Sequence, residues 1–151
     1  KDIPSADADL ESPLADVRVD LTALPFPDGA FDAILCTHVL EHIPDDRAAM
    51  RELRRTLAPD GWAILVVRID EERATTYEDP SITEPSERER AFGQSDHVRW
   101  YGRDYPDRLR ESGFSVEEER FGRALPQAER DRFGIEPGVL HIGRRAGVRR
   151  G

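Results

Sequence analysis

Apolar residues along this chain gather in short, differently spaced groups, and the spacing predicts the elements. Phe31–Cys36 is a nearly continuous apolar run of strand length, and Trp62–Val67 is a second. Such runs are expected of strands covered on both sheet faces. Between them Ala49, Met50, Leu53 and Leu57 recur at three- and four-residue intervals with arginines interleaved, the pattern of an amphipathic helix. Pro44, Asp45 and Asp46 give that helix an acidic start, and Pro59-Asp60-Gly61 is expected to end it. Strand, helix and strand in this order predict an α/β domain with a parallel sheet.

Around this unit the signals are weaker. Val17-Arg18-Val19 alternates and predicts a short strand ending at Asp20. Leu24-Pro25-Phe26-Pro27-Asp28-Gly29 reads as a turn. Downstream, a helix over 104–111, a strand over 114–117 and a last short strand over 139–142 are expected. Residues 120–138 read as irregular and 144–151 as a frayed, arginine-rich tail. Segment 70–97 is polar, with Pro80, Pro85 and the charged run Glu87-Arg88-Glu89-Arg90. A connection of that length is usually functional or partly helical, so a lid is expected. No repeat or second-domain boundary is visible, and residues 1–151 read as one domain.

Charge narrows the partners. Thirty-one acidic residues face 22 basic ones, for a net charge of −9, and Lys1 is the only lysine. A field of that sign repels nucleic acid and anionic membranes, so neither is expected as a partner. No apolar run approaches a membrane span. A lone cysteine, Cys36, suits a reducing compartment, and a cytoplasmic location is expected.

The stretch Leu24-Pro25-Phe26-x-Asp28-Gly29-x-Phe31-Asp32 is followed by an apolar strand, Glu41-His42, a helix and a Pro-x-Gly turn. Over roughly residues 5–145 the chain resembles the class I S-adenosylmethionine (SAM)-dependent methyltransferases that act on small molecules. The resemblance implies a Rossmann-like sheet of order 3-2-1-4-5-7-6, of which strands 3 to 7 have counterparts here. The glycine-rich loop that receives the methionine part of SAM has none, so the domain reads as N-terminally truncated. The family places an acid like Asp20, with the backbone N–H of Leu21, at the adenine edge. Another acid binds the ribose; Asp7 or Asp9 could serve, with Asp7 preferred. Thr37, at the end of the strand 31–36, points at the same crevice, since ligands lie beyond the carboxyl ends of such strands.

Candidate chemistry follows from position. His38 leaves the strand 31–36 directly and is expected near the transferring methyl, where a histidine can act as base. His42 is expected to shape the helix entrance and the substrate side. His97, Arg99 and Tyr101 alternate with apolar residues and would share one face of an extended segment, His97 as a second catalytic candidate, Arg99 and Tyr101 toward the methyl acceptor. His38 and His42 have zinc-like spacing, but Pro44 puts the helix start after them, so no metal is expected. A non-catalytic binding remnant of the same fold is the rival reading. Loss of the strands beside 31–36 would expose that edge, and a homodimer or strand-edge association is expected.

Overall fold

The first apolar run forms strand β1 (Phe31–Thr37) in the computed structural model, which describes residues 17–135 and 138–145. Helix α1 (Asp46–Thr56) follows, and the Asp45 side chain caps it by accepting the Ala48 N–H at 2.9 Å. Its Ala49, Met50, Leu53 and Thr56 are buried. Strand β2 (Leu57–Val66) starts at once, so Pro59-Asp60-Gly61 lies inside the strand rather than ending the helix. The register with β1 slips there, with Phe31 opposite Leu57 and Ala33 opposite Trp62. Gly61 permits this close passage, because a Cβ would sit 2.8 Å from the Asp32 carbonyl oxygen.

The remaining elements are β3 (Tyr77–Glu78), α2 (Pro85–Phe92), β4 (Arg99–Trp100), α3 (Tyr105–Glu111), β5 (Phe114–Glu119), α4 (Phe121–Ala124), α5 (Gln127–Phe133) and β6 (Leu140–Arg145). The main sheet has the order β1-β2-β6-β5. β1 and β2 are parallel, and β6 runs antiparallel to both of its neighbours, so β1, β2 and β5 point the same way. This is the mixed, parallel-dominated α/β sheet that the resemblance implies for strands 4, 5, 7 and 6.

Four further expectations change. Val17–Val19 forms no strand: among the described residues nothing lies beyond β1, so that segment has no ladder to join. Segment 120–138 is not irregular but holds α4 and α5. β6 continues through Arg144 and Arg145, which were expected to fray. Among the described residues only one sheet face is covered. There Cys36, Ala63, Leu65 and Phe114 pack with Met50, Leu53 and Leu109. On the other face Leu35 is 69% exposed, and Trp62 and Leu140 are also exposed. A continuous apolar run therefore marked a strand correctly, but did not report what covers it.

Segment 70–97 is ordered structure rather than a bare loop. β3 pairs with β4, and α2 buries Phe92 completely and stops at Gly93, whose φ of 83° suits glycine. The Val98 N–H then donates to the Glu41 carbonyl at 2.9 Å, tying this segment to the turn that follows β1.

Candidate functional site

At the carboxyl end of β1 the chain bends through His38, the one non-glycine with a positive φ (54°) among the described residues. Its N–H donates to the Val66 carbonyl at 2.8 Å, which holds the bend against β2. A left-handed histidine is uncommon and costs free energy, so it needs support from its surroundings. The short 3-10 turn Leu40–His42 follows and buries Glu41. The His38 ring is 64% exposed, yet its Nδ1 lies 3.3 Å from Oε1 of Glu41, which is 3% exposed. A carboxylate at Nδ1 favours the tautomer that carries the proton there and leaves Nε2 as the basic atom. Sequence reasoning missed Glu41. Its spacing from His38 brings the two side chains together only because the chain turns tightly after the strand.

His42 and His97, expected in different roles, lie against each other. Their rings are edge to face, 4.7 Å apart, and His42 Nδ1 lies 3.1 Å from Asp96 Oδ2. His97 Nδ1 lies 3.3 Å from the Phe92 carbonyl oxygen. Burial pushes the His97 pKa down, and the neighbouring His42 pushes it further. Burial also depresses His141, which packs against the Tyr105 ring. Both histidines are thus held neutral in the fold while the unfolded chain can protonate them near pH 6.5. The unfolded state binds more protons below that value, so stability should fall as pH drops through the window just beneath 6.5. Urea unfolding across the mildly acidic range should show this; a midpoint that stays flat there would contradict it.

Arg99 and Tyr101 do not face the crevice as expected. Arg99 is 2% exposed and donates to the carbonyls of Leu40 (2.8 Å), Ile43 and Pro44 (2.8 Å), and to Glu78 (3.0 Å). Tyr101 is fully buried, and its hydroxyl donates to Asp46 Oδ2 at 2.8 Å. Alternation correctly put them on one face, but that face meets the core. Their role is to shape the 40–44 turn, and through it the surroundings of His38 and His42.

On the other side of the crevice, Asp20 Oδ1 accepts from the Thr22 N–H (2.8 Å) and hydroxyl (2.7 Å), which lowers the Asp20 pKa. Leu21 lines an apolar recess of about 300 Å³ with Phe26, Phe31, Leu35 and Cys36. Cys36 is no nucleophile, because burial, then Glu41, push its thiol pKa up to about 12. Thr37 ends β1 opposite Val66 and is exposed. Asp7 and Asp9 lie outside the described residues. A larger cavity of about 660 Å³ opens beyond β2 and β5, lined by Val66, Arg103, Glu118, Arg120 and His141 among others. Its lining comes from four separate stretches of chain, and no local pattern announces it.

Residues 4–65 match the family described as a methyltransferase domain. The chain is 48% identical over 44 residues to an uncharacterized methyltransferase, YcgJ, of Bacillus subtilis, over 29% of this chain and 17% of that protein. It is 42% identical over 50 residues to demethylmenaquinone methyltransferase of Thermus thermophilus, over 33% of this chain and 23% of that one. The chain thus spans about a fifth of the length of these curated relatives. Among solved structures, the fold is similar to YcgJ of B. subtilis (TM-score 0.52, 22% identity, 84% of this chain and 69% of that one). It is also similar to the [4+2]-cyclase SpnF (0.57, 20%, 85% and 56%). A third is 1,6-didemethyltoxoflavin-N1-methyltransferase of Burkholderia thailandensis, solved with S-adenosylhomocysteine (0.52, 16%, 85% and 49%). At these identities the structural likeness is one of fold. Among the described residues no helix is long and apolar enough to cross a membrane.

Proposed function

We propose that this chain is part of a class I SAM-dependent methyltransferase that methylates a small-molecule acceptor, a reading supported by the family match over residues 4–65 and by the likeness of fold. The observation that carries the reading is His38, held at the strand end by the buried Glu41, with its neighbour Val66 lining the larger cavity. SAM supplies an activated methyl group whose transfer is an in-line displacement. The protein's part is to position the acceptor, exclude water and, where the acceptor carries a proton, remove it. His38 Nε2 is the base in this reading, and segment 70–97 forms the cover over that end of the sheet.

The residues on the cofactor side fit an adenine. The recess at Leu21 offers an apolar wall for the base, and the Asp20 carboxylate offers an acceptor for its amine. Asp20→Ala in the intact protein is expected to weaken SAM or S-adenosylhomocysteine binding by about 1–3 kcal/mol through that lost hydrogen bond. Calorimetry tests this. An intact protein that binds neither ligand would sink the enzyme reading and leave a non-catalytic binding module, which the turn-capping use of Asp20 Oδ1 favours. Thr37 stays a candidate on the cofactor side, His42 one on the substrate side, and Asp7 or Asp9 the candidate acid for the ribose.

A further inference from the structure

We infer that His42, Asp96 and His97 form a site for one divalent transition-metal ion of the zinc class, which fastens the loop after α2 to the turn after β1. One donor atom from each residue falls within 4.8 Å of the other two. Two imidazoles and a carboxylate are the ligand types of a three-residue zinc site that keeps a fourth position open. Magnesium and calcium prefer shells of oxygen, so the nitrogen pair selects against them.

The His42–Asp96 distance suits a shared ion as well as it suits an ion pair, and the unmet hydrogen-bonding atoms favour the ion. Ligand bonds of about 2.0–2.1 Å around a tetrahedral ion put neighbouring donors roughly 3.3 Å apart. His42 Nδ1 and Asp96 Oδ2 are 3.1 Å apart. That contact lacks the alignment of a hydrogen bond, and His42 Nδ1 and Asp96 Oδ1 are both buried without a hydrogen-bond partner. Buried polar atoms are normally satisfied, and leaving one unmet is costly. A cation between the side chains would answer both.

The outer contacts match as well. His97 Nδ1 faces the Phe92 carbonyl at 3.3 Å, which suits an N–H donated there and leaves Nε2 for the ion. Metal-bound histidines commonly donate their second nitrogen in this way, which fixes ring and tautomer. The expectation of no metal concerned His38 and His42 on one helix. The site here joins His42 to residues more than fifty positions away, and His38 is not part of it. It shares His42 with the methyl-transfer reading but does not rest on it.

The test uses the intact, tag-free protein stripped with a chelator and titrated with Zn²⁺ by calorimetry, with Co²⁺ as a spectroscopic probe. Wild type should take up one equivalent, gain thermal stability and show the intense visible bands of four-coordinate Co²⁺. Asp96→Asn, which keeps the side-chain shape, and His97→Ala should each weaken binding by about 10–100-fold, while His38→Ala should leave it unchanged. Stoichiometric binding that Asp96→Asn does not alter would overturn the assignment. So would failure of folded wild type to take up Zn²⁺, or loss of binding in His38→Ala.

Discussion

Replacing Asp46 by alanine should destabilise the fold by about 3–5 kcal/mol, the cost of removing one partner from a buried charge network. Asp46 is 2% exposed and accepts two bonds from Arg108, at 3.1 and 3.2 Å, and one from the Tyr101 hydroxyl at 2.8 Å. Arg99 stands 3.7 Å away. Burial alone would raise the Asp46 pKa, but Arg99, Arg108 and Tyr101 overcome it and hold the carboxylate ionised. Without it, two buried guanidinium groups keep only Glu78, which is 39% exposed, as a carboxylate partner. For a domain whose whole stability is roughly 5–15 kcal/mol, such a loss approaches unfolding. Urea denaturation of Asp46→Ala against wild type measures it. Adding Arg108→Met should recover part of the loss, because it removes one of the stranded charges. A loss below about 1 kcal/mol would mean that water or rearrangement replaces the carboxylate easily.

That network also shows which parts of the fold were legible in the sequence. β1, α1, β2 and the helix near 105–111 could be read because each announces itself within a dozen residues by spacing and end signals. The Arg99, Tyr101 and Asp46 cluster could not. Alternation reveals that Arg99 and Tyr101 share a face, and charge argues that the face is wet. The outcome was decided by three main-chain carbonyls, at 40, 43 and 44, that converge on the Arg99 guanidinium. An arginine is the side chain that can serve several at once. The missing strand at Val17–Val19 fails for a related reason: a strand needs a neighbour, and local pattern says nothing about whether one is there.

The candidate site was legible in part. The order of strand, His38, Glu41-His42 and helix marked the right loop. The pairing inside it was not visible, since His38 joins Glu41 through a tight turn while His42 joins Asp96 and His97 across the sheet end. The larger cavity draws on four stretches of chain and left no trace in any one of them. Fold likeness does not supply what is missing: the structures similar to this chain include one named for cyclisation as well as methyltransferases. Reaction and acceptor must therefore be argued from side chains.

The second large effect is expected at His38. If Nε2 takes a proton from the acceptor during methyl transfer, His38→Ala should lower turnover by about 10²–10⁴-fold, the usual contribution of a positioned base. SAM affinity should stay within about twofold, because in the proposed reading the side chain serves the acceptor rather than the adenine recess. Glu41→Gln can still accept a hydrogen bond from Nδ1 but loses the charge that stabilises the protonated ring. Its effect should be smaller than that of His38→Ala and should appear in turnover rather than in cofactor binding. An acceptor that enters already deprotonated needs no base, and for it both variants should approach wild type. The comparison separates a base from a residue that merely shapes the bend, since a broken bend would slow both acceptors alike. Full turnover by His38→Ala on a proton-bearing acceptor would remove the base from the mechanism and leave His38 as a strained corner of the chain.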